Sequence, residues 1–364
     1  MRYHDFPHGS KGTISLKIYH ENHSTQVQRI PLDHAVFDLH FFPRDPSIFA
    51  VALSTAEVAL YRIETTNSGP QIQFINTISV HEDPSQLSLC LAWIPPNLEP
   101  SSGPTPDGFA VSFSGGQISV FHANDPNTPA AQLTRENMTE IEFPGSPIEV
   151  WYVAFNSTKP SGHGLPSLFS GDDFSQLREF LFPGRLTAGD ADADEDEDED
   201  SLAPYQKFND KGRNHNAGVT AILPFLSDET GTVLVTGSYD GNIRLYRLAT
   251  RGQVLTELDL GGGVWRLKLI KSTTRPDCAE GRDHYILASC MHAGTRVVKL
   301  SYIPSGTGDE EWSFEVLVEF TEHESMNYAS DFWLRENSGA GGVDLLCVSS
   351  SFYDKRVCVW NVES

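Results

Sequence analysis

Short runs of apolar residues alternating on a period of two recur along the whole chain, and no long segment of helical period interrupts them. The clearest unit is TVLVTGSYDGNIRLYRL, Thr232 to Leu248. Val233 and Val235 alternate, Ser238-Tyr239-Asp240-Gly241 marks a turn, and Ile243, Leu245 and Tyr246 resume the alternation. An Asp-Gly pair between two such runs specifies a tight hairpin, because glycine takes positive φ without steric cost. The same figure ends the chain, VDLLCVSSSFYDKRVCVWNV, where Asp354 and Trp360 repeat the spacing of Asp240 and Tyr246. Looser copies start at Ser47, Gly108, Ser167 and Tyr285, which brings the total to six hairpins.

Each hairpin is preceded by another strand-like run. These are Val36 to Phe42, Ser88 to Ile94, Ile148 to Phe155, Val219 to Phe225, Val264 to Ile270 and Tyr328 to Leu334. Outer runs such as QIQFINTI, QVLTELDL and FEVLVEF follow some of the hairpins. Up to four strands per unit, repeated, describe an all-β propeller of the WD40 type. Six blades are recognisable, and an extra N-terminal hairpin, Thr13 to Leu32, makes an incomplete seventh blade possible. The last unit stops after its third strand, so an N-terminal strand is expected to complete it and remove an exposed edge. The whole chain, 1–364, is read as one propeller domain.

The pattern stops between residues 183 and 217, which are read as an acidic loop inserted in the propeller. Residues 188–207 are expected to be disordered, because such a tract has too little apolar surface to fold. Asp190 to Asp200 alone carries nine acidic residues, and the rest of the chain still sums to −14 of the total −23. That balance argues against nucleic acid, which needs clustered Lys and Arg. No run is long and apolar enough for a membrane helix, and MRYHDFPHGSKG lacks the apolar segment of a secretory signal. Five scattered cysteines without a Cys-x-x-Cys pair fit reduced thiols in a cytosolic or nuclear protein, and a cytoplasmic monomer is expected.

Known catalytic spacings are missing. Gly237-Ser-Tyr-Asp-Gly has Tyr239 where a nucleophile elbow has serine, the Gly261-Gly-Gly-Val-Trp run lacks a phosphate-loop lysine, and no metal-binding spacing occurs. No metal or cofactor is therefore expected. Asp240, Thr236, Tyr246 and His215 read as a buried hydrogen-bonded set that ties one blade together, and Asp354, Trp360 and His323 as a second. The alternative for each is a functional His–Asp pair. Other residues fit a framework less well: Asp172-Asp173, Trp265-Arg266, Cys290-Met291-His292 and Asn327-Tyr328. Turns and inner-strand starts are expected at one end of the propeller, which gathers Asp172, Asp173, Tyr239, Trp265, Arg266, His292, Asn327, Tyr328 and Tyr353. A concave mix of aromatic and polar groups is the default binding site.

The segments FSGDD, GSYD, GGVWRLK, CMHAG, HESMNYASD and SFYD, in that order, resemble the WD-repeat diphthine methylesterase family. The resemblance runs from about Ile148 to the end of the chain and is looser before it. It implies hydrolysis of the methyl ester on the modified histidine of translation elongation factor 2, with that protein as partner. On this resemblance His215 or His292 is the candidate general base and Asp172 or Asp173 orients it. Arg266 receives the oxyanion, and Trp265 or Tyr328 covers the substrate's quaternary ammonium, with Tyr239, Asn327 and Tyr353 completing the binding surface. A non-catalytic adaptor that binds a protein through the same end is the competing reading, and a binder acting through the acidic run is a third.

Overall fold

The computed structural model describes residues 11–20, 23–96, 105–143, 145, 147–157, 166–182, 204–228, 231–249, 251–275, 277–304, 310–335 and 343–363. A hairpin comes first, β1 (Gly12–His20) with β2 (His23–Leu32). The first four-stranded sheet holds β3 (Val36–Phe42), β4 (Asp45–Leu53), β5 (Glu57–Thr66) and β6 (Gly69–Ser79). The second holds β7 (Ser88–Trp93), β8 (Gly108–Phe113), β9 (Ile118–Ala123) and β10 (Met138–Phe143). The third holds β11 (Val150–Phe155), β12 (Leu168–Asp172), β13 (Leu177–Leu181) and β14 (Tyr205–Asn209). The fourth holds β15 (Val219–Asp228), β16 (Gly231–Ser238), β17 (Asn242–Leu248) and β18 (Gln253–Asp259). In the fifth are β19 (Arg266–Arg275), β20 (Cys278–Ser289), β21 (Thr295–Pro304) and β22 (Glu310–Phe320). The last has three strands, β23 (Asn327–Leu334), β24 (Asp344–Ser351) and β25 (Val357–Glu363). Strands neighbour one another in chain order within each sheet. This is the blade pattern of an all-β, WD40-type propeller with six blades.

By packing, the chain falls into two compact units, residues 1–168 with 180–207 and residues 169–179 with 208–364. In the first, Ala50, Ala52, Val58 and Leu60 pack with Leu91, Phe109 and Val111, and Cys90, Ile94 and Val120 pack with Val150, Val153 and Phe155. In the second, β20 shows how a period of two builds a stack of sheets. Ile286 and Ala288 join Val233, Val235 and Leu245, whereas Tyr285 and Leu287 join Leu345, Cys347 and Val362. Alternate residues point to opposite faces, so a strand apolar at every position is buried on both. Each such side chain contributes about 1.5–3 kcal/mol relative to exposure.

Two expectations change. The N-terminal hairpin forms a sheet of its own, and among the described residues the last sheet has three strands and pairs with no N-terminal strand. The hairpin's apolar face is spent elsewhere: Ile14, Leu16, Ile30 and Leu32 pack with Phe49, Val51, Tyr61 and Ile72 of the first sheet. The Gln28 amide also brackets the backbone of Ile72, donating to its carbonyl at 3.0 Å and accepting from its N–H at 2.6 Å. The second change concerns residues 183–217. Tyr205–Asn209 form β14, and Asp210 and His215 beyond it are buried. Pairing of β14 in the third sheet meets its backbone hydrogen-bond requirement, which composition does not register. The acidic run Asp190 to Asp200 lies outside the described residues.

All five cysteines are free thiols. Among the described residues no helix is long and apolar enough to cross a membrane, and no group of His, Cys, Asp and Glu has the geometry to hold a metal ion.

Candidate active site

The candidate residues all lie in the second compact unit, on the turns that join its second and third strands, at the starts of its inner strands and, for His215 and His323, in the connections that lead into them. Those turns are held by buried polar braces. Asp240 accepts the Asn216 amide at 2.9 Å and the Asn242 amide at 3.0 Å, and it takes Arg244 in a two-point ion pair at 2.8 and 3.0 Å. Burial pushes the Asp240 carboxyl up, but Arg244 and the two amides outweigh it and bring it down to about 2. The last sheet repeats the device. Asp354 accepts Ser325 Oγ at 2.8 Å and the Glu324 amide at 3.1 Å. His323 Nε2 lies 2.8 Å from Ser349 Oγ, which also accepts Trp360 Nε1–H at 3.2 Å, while the Trp360 ring stacks on Phe320.

Three expected site residues are buried in this framework. His215 is buried, its Nε2 lies 2.9 Å from Thr236 Oγ1, and its Nδ1 faces the buried Asp210 carboxylate at 3.6 Å. Its ring lies against Tyr246, whose hydroxyl accepts the Asn214 amide. Asp172 is buried against the Arg178 guanidinium and accepts the Gln176 amide, and burial raises its carboxyl above the usual range. Asn327 is fully buried, with its amide donating to Ala329 and Ser350 carbonyls and its oxygen accepting from Thr295 and Ser330. Asp172 and Asn327 thus spend their polar atoms on holding the turns, and His215 is buried beneath them with Nε2 on Thr236.

The remaining candidates come together in one row. Gly218 separates Asp173 from the Tyr239 ring so closely that a Cβ there would sit 3.0 Å from one and 3.1 Å from the other. From Tyr239 the rings follow in order: Trp265 at 5.7 Å between centroids, Tyr328 at 5.1 Å, Phe352 at 6.0 Å and Tyr353 at 5.1 Å. Arg266 lies over the Trp265 ring at 4.9 Å and donates to the Trp265 and Thr220 carbonyls. The glycines before Val264 let this loop approach its neighbour. A Cβ on Gly262 would meet the Cys290 carbonyl oxygen at 2.5 Å, and one on Gly263 would meet Met291 Sδ at 2.6 Å.

The row ends at an open pocket of about 370 Å³ lined by His292, His323, Glu324, Ser325, Met326 and Tyr353. His292 is exposed in the turn between β20 and β21, where Met291 takes a positive φ of 44° and Gly294 one of 82°. Asp173 is exposed as well. Phe352, Glu324 and Met326 were missed by sequence reasoning, and Met291 was singled out only as part of the Cys290-Met291-His292 turn. Phe352 sits beside the singled-out Tyr353, but nothing in a linear pattern shows that its ring bridges Tyr328 and Tyr353. Glu324 lies in HESMNYASD, where only His323, Asn327 and Tyr328 were singled out.

No protein-family model matches the chain. It is 26% identical over 329 residues to the diphthine methyltransferase of Schizosaccharomyces pombe, a match covering 90% of this chain and 78% of that protein. The human protein of the same name is 24% identical over 334 residues, covering 89% of this chain, which spans only 62% of the human length. That of Saccharomyces cerevisiae is 25% identical over 362 residues, with 90% and 83% covered. In fold, the chain is similar to one in the crystal structure of the Mitotic Checkpoint Complex, with a TM-score of 0.53, 16% identity, and 97% and 84% covered. It is also similar to Saccharomyces cerevisiae Sqt1, with a TM-score of 0.52, 12% identity, and 97% and 79% covered. The chain is thus a WD40-type β-propeller whose curated relatives in fission yeast, budding yeast and human are named diphthine methyltransferases.

Proposed function

We propose that this protein acts in diphthamide biosynthesis by hydrolysing the methyl ester of diphthine on translation elongation factor 2. The observation that carries this reading is the aromatic row with Arg266 seated on Trp265, ending at the pocket that His292 lines. In this scheme His292 takes a proton from a water molecule, because an imidazole can accept and return a proton near neutral pH. The hydroxide attacks the ester carbonyl. Arg266, held by two backbone carbonyls, offers positive charge to the oxyanion that forms. Collapse of the tetrahedral intermediate expels methoxide, which His292 protonates to methanol, and leaves a carboxylic acid that loses its proton to solvent to give the carboxylate. Asp173 is the exposed acid at the other end of the row. Water is the only co-reactant, so the scheme needs neither cofactor nor metal, and it is assigned to a cytoplasmic monomer.

The relatives' name implies methyl transfer in the opposite sense, and mass distinguishes the two. Purified protein incubated with the methyl ester form of the elongation factor should lower its mass by one CH2 and release one methanol. A rise in mass with a methyl donor, or binding without any mass change, would overturn the hydrolytic reading, the second outcome in favour of an adaptor. Arg266→Ala and His292→Ala should each lower kcat by at least about 100-fold, in keeping with loss of an oxyanion donor or a general base. Wild-type turnover by both variants, folded, would remove these residues from the mechanism.

A further inference from the structure

We infer that the pocket formed by Glu324, Tyr353, Met326 and His292 is the seat of the substrate's quaternary ammonium group, with Glu324 setting the preference for a cation. The inference rests on the hydrolytic reading for the identity of the substrate. Its geometry is independent of that reading.

The two rings expected for the role are already occupied. Trp265 is 8% exposed, lies between Tyr239 and Tyr328, and carries the Arg266 guanidinium over its face. A second cation on that ring would meet the arginine's charge. Tyr328 is only half-buried, but it is packed between Trp265 and Phe352. Tyr353, at the end of the row, is 64% exposed and lines the open pocket. A quaternary ammonium has no N–H to donate, so a site recognises it through an aromatic face and a nearby negative charge. Tyr353 supplies the first and Glu324 the second. The soft Met326 thioether completes an apolar wall suited to methyl groups.

The pocket is also built in advance. Asp354 binds the Glu324 amide and the Ser325 hydroxyl, Ser325 Oγ accepts the Tyr353 amide at 3.0 Å, and the Phe352 amide donates to the Met326 carbonyl at 3.0 Å. The loop carrying Glu324 and Met326 is therefore stapled to the turn carrying Tyr353. The Asp354 carboxylate is consumed by these bonds, and Glu324 is the exposed acid left to face the pocket. His292, the proposed base, lines the same cavity, so a cation held here places the attached ester beside it.

The probe is tetramethylammonium, whose methyl signal is followed by saturation-transfer NMR on the full chain. Wild type should bind it, and should bind methylammonium and neutral tert-butanol at least about fivefold more weakly. Glu324→Gln should weaken binding about tenfold and Tyr353→Leu by a similar factor, whereas Glu322→Gln, an exposed acid outside the pocket, should leave it unchanged. With the methylated elongation factor, Glu324→Gln should raise KM and leave kcat within about twofold, as expected when ground-state and transition-state binding are lost equally. Equal binding of methylammonium, an equal loss in Glu322→Gln, or wild-type binding by Glu324→Gln and Tyr353→Leu would each overturn the assignment. Because probe binding needs no turnover, failure of the hydrolytic reading leaves the probe result standing, and failure of the probe leaves hydrolysis intact with the cation held elsewhere.

Discussion

Replacing Asp240 by Asn keeps the shape of the side chain and removes its charge, which isolates what the Asp240–Arg244 pair does for the turn that carries Tyr239. The carboxyl titrates at about 2 in the folded protein against 3.8 ordinarily. A difference of that size corresponds to about 2 kcal/mol of stability at neutral pH. The depressed value means that this stabilisation is present above the unfolded pKa, near pH 4, and is lost as pH falls through 2. Arg244 raises the stakes. Its side chain is 2% exposed, and in D240N it would keep only Glu257, a carboxylate 54% exposed. A buried cation that loses its closest partner is costly. D240N should therefore lose at least about 2 kcal/mol in urea unfolding at pH 7, with faster hydrogen exchange along β16 and β17. Its deficit should shrink as pH falls from 4 to 2. In an Arg244→Met background the same change should cost under about 1 kcal/mol, because the pair is already gone. Stability of D240N within about 0.5 kcal/mol of wild type at pH 7, or a deficit that does not move between pH 4 and 2, would refute the reasoning.

Two further tests follow from other parts of the same unit. Gly262→Ala puts a Cβ against the Cys290 carbonyl and the Ala293 amide, backbone atoms that cannot yield, and should cost over about 2 kcal/mol with disturbed Trp265 fluorescence. Gly263→Ala clashes with the flexible Met291 side chain and meets Tyr239 only at an ordinary 3.4 Å, so it should cost under about 1 kcal/mol, and equal losses in urea titrations would count against this account of the loop. Burial holds His284 down to about 4, with Phe225 edge-on at 4.5 Å and Trp312 nearby. Because the folded state resists the proton, its contribution is full above pH 6.5 and is lost as pH falls to 4, by about 3 kcal/mol in all. His284→Phe should flatten the stability curve across that window, and a curve of unchanged slope would show that the histidine is not responsible.

The framework was legible because it obeys local rules. Alternation along TVLVTGSYDGNIRLYRL and its copies marks hairpins wherever they occur, since a strand buried on one or both faces must present apolar side chains at fixed spacing. The inner strand from Val36 to Phe42 is found with the bounds read from sequence, and the others differ by a few residues at their ends. The strand expected from Val264 starts at Arg266, because Val264 and Trp265 use their amides on Ser238 and Ser289 carbonyls in the approach to it. β14 was hidden by its setting: YQKFN has little apolar content and follows an acidic tract, and it becomes a strand through pairing in the third sheet.

The chain's own pattern determined an all-β repeat of hairpins, the turns on which its unusual residues sit, and the resemblance those turns carry. Tertiary structure decided which of those residues are buried in the framework and which stay exposed. His215, Asp172 and Asn327 look as reactive in a sequence as His292, Asp173 and Tyr328, because residue type says nothing about whether a polar atom already has a partner. Packing consumed the first three, leaving His215 against Thr236 and Asp210, Asp172 on Arg178, and Asn327 among Thr295, Ser330 and two carbonyls. It also lined the Trp265 ring up with Tyr239 and Tyr328 and stapled Glu324 beside Tyr353, juxtapositions between residues on different strands and turns. Burial and contact across sheets are properties of the folded chain, and a period of two along one strand does not encode them.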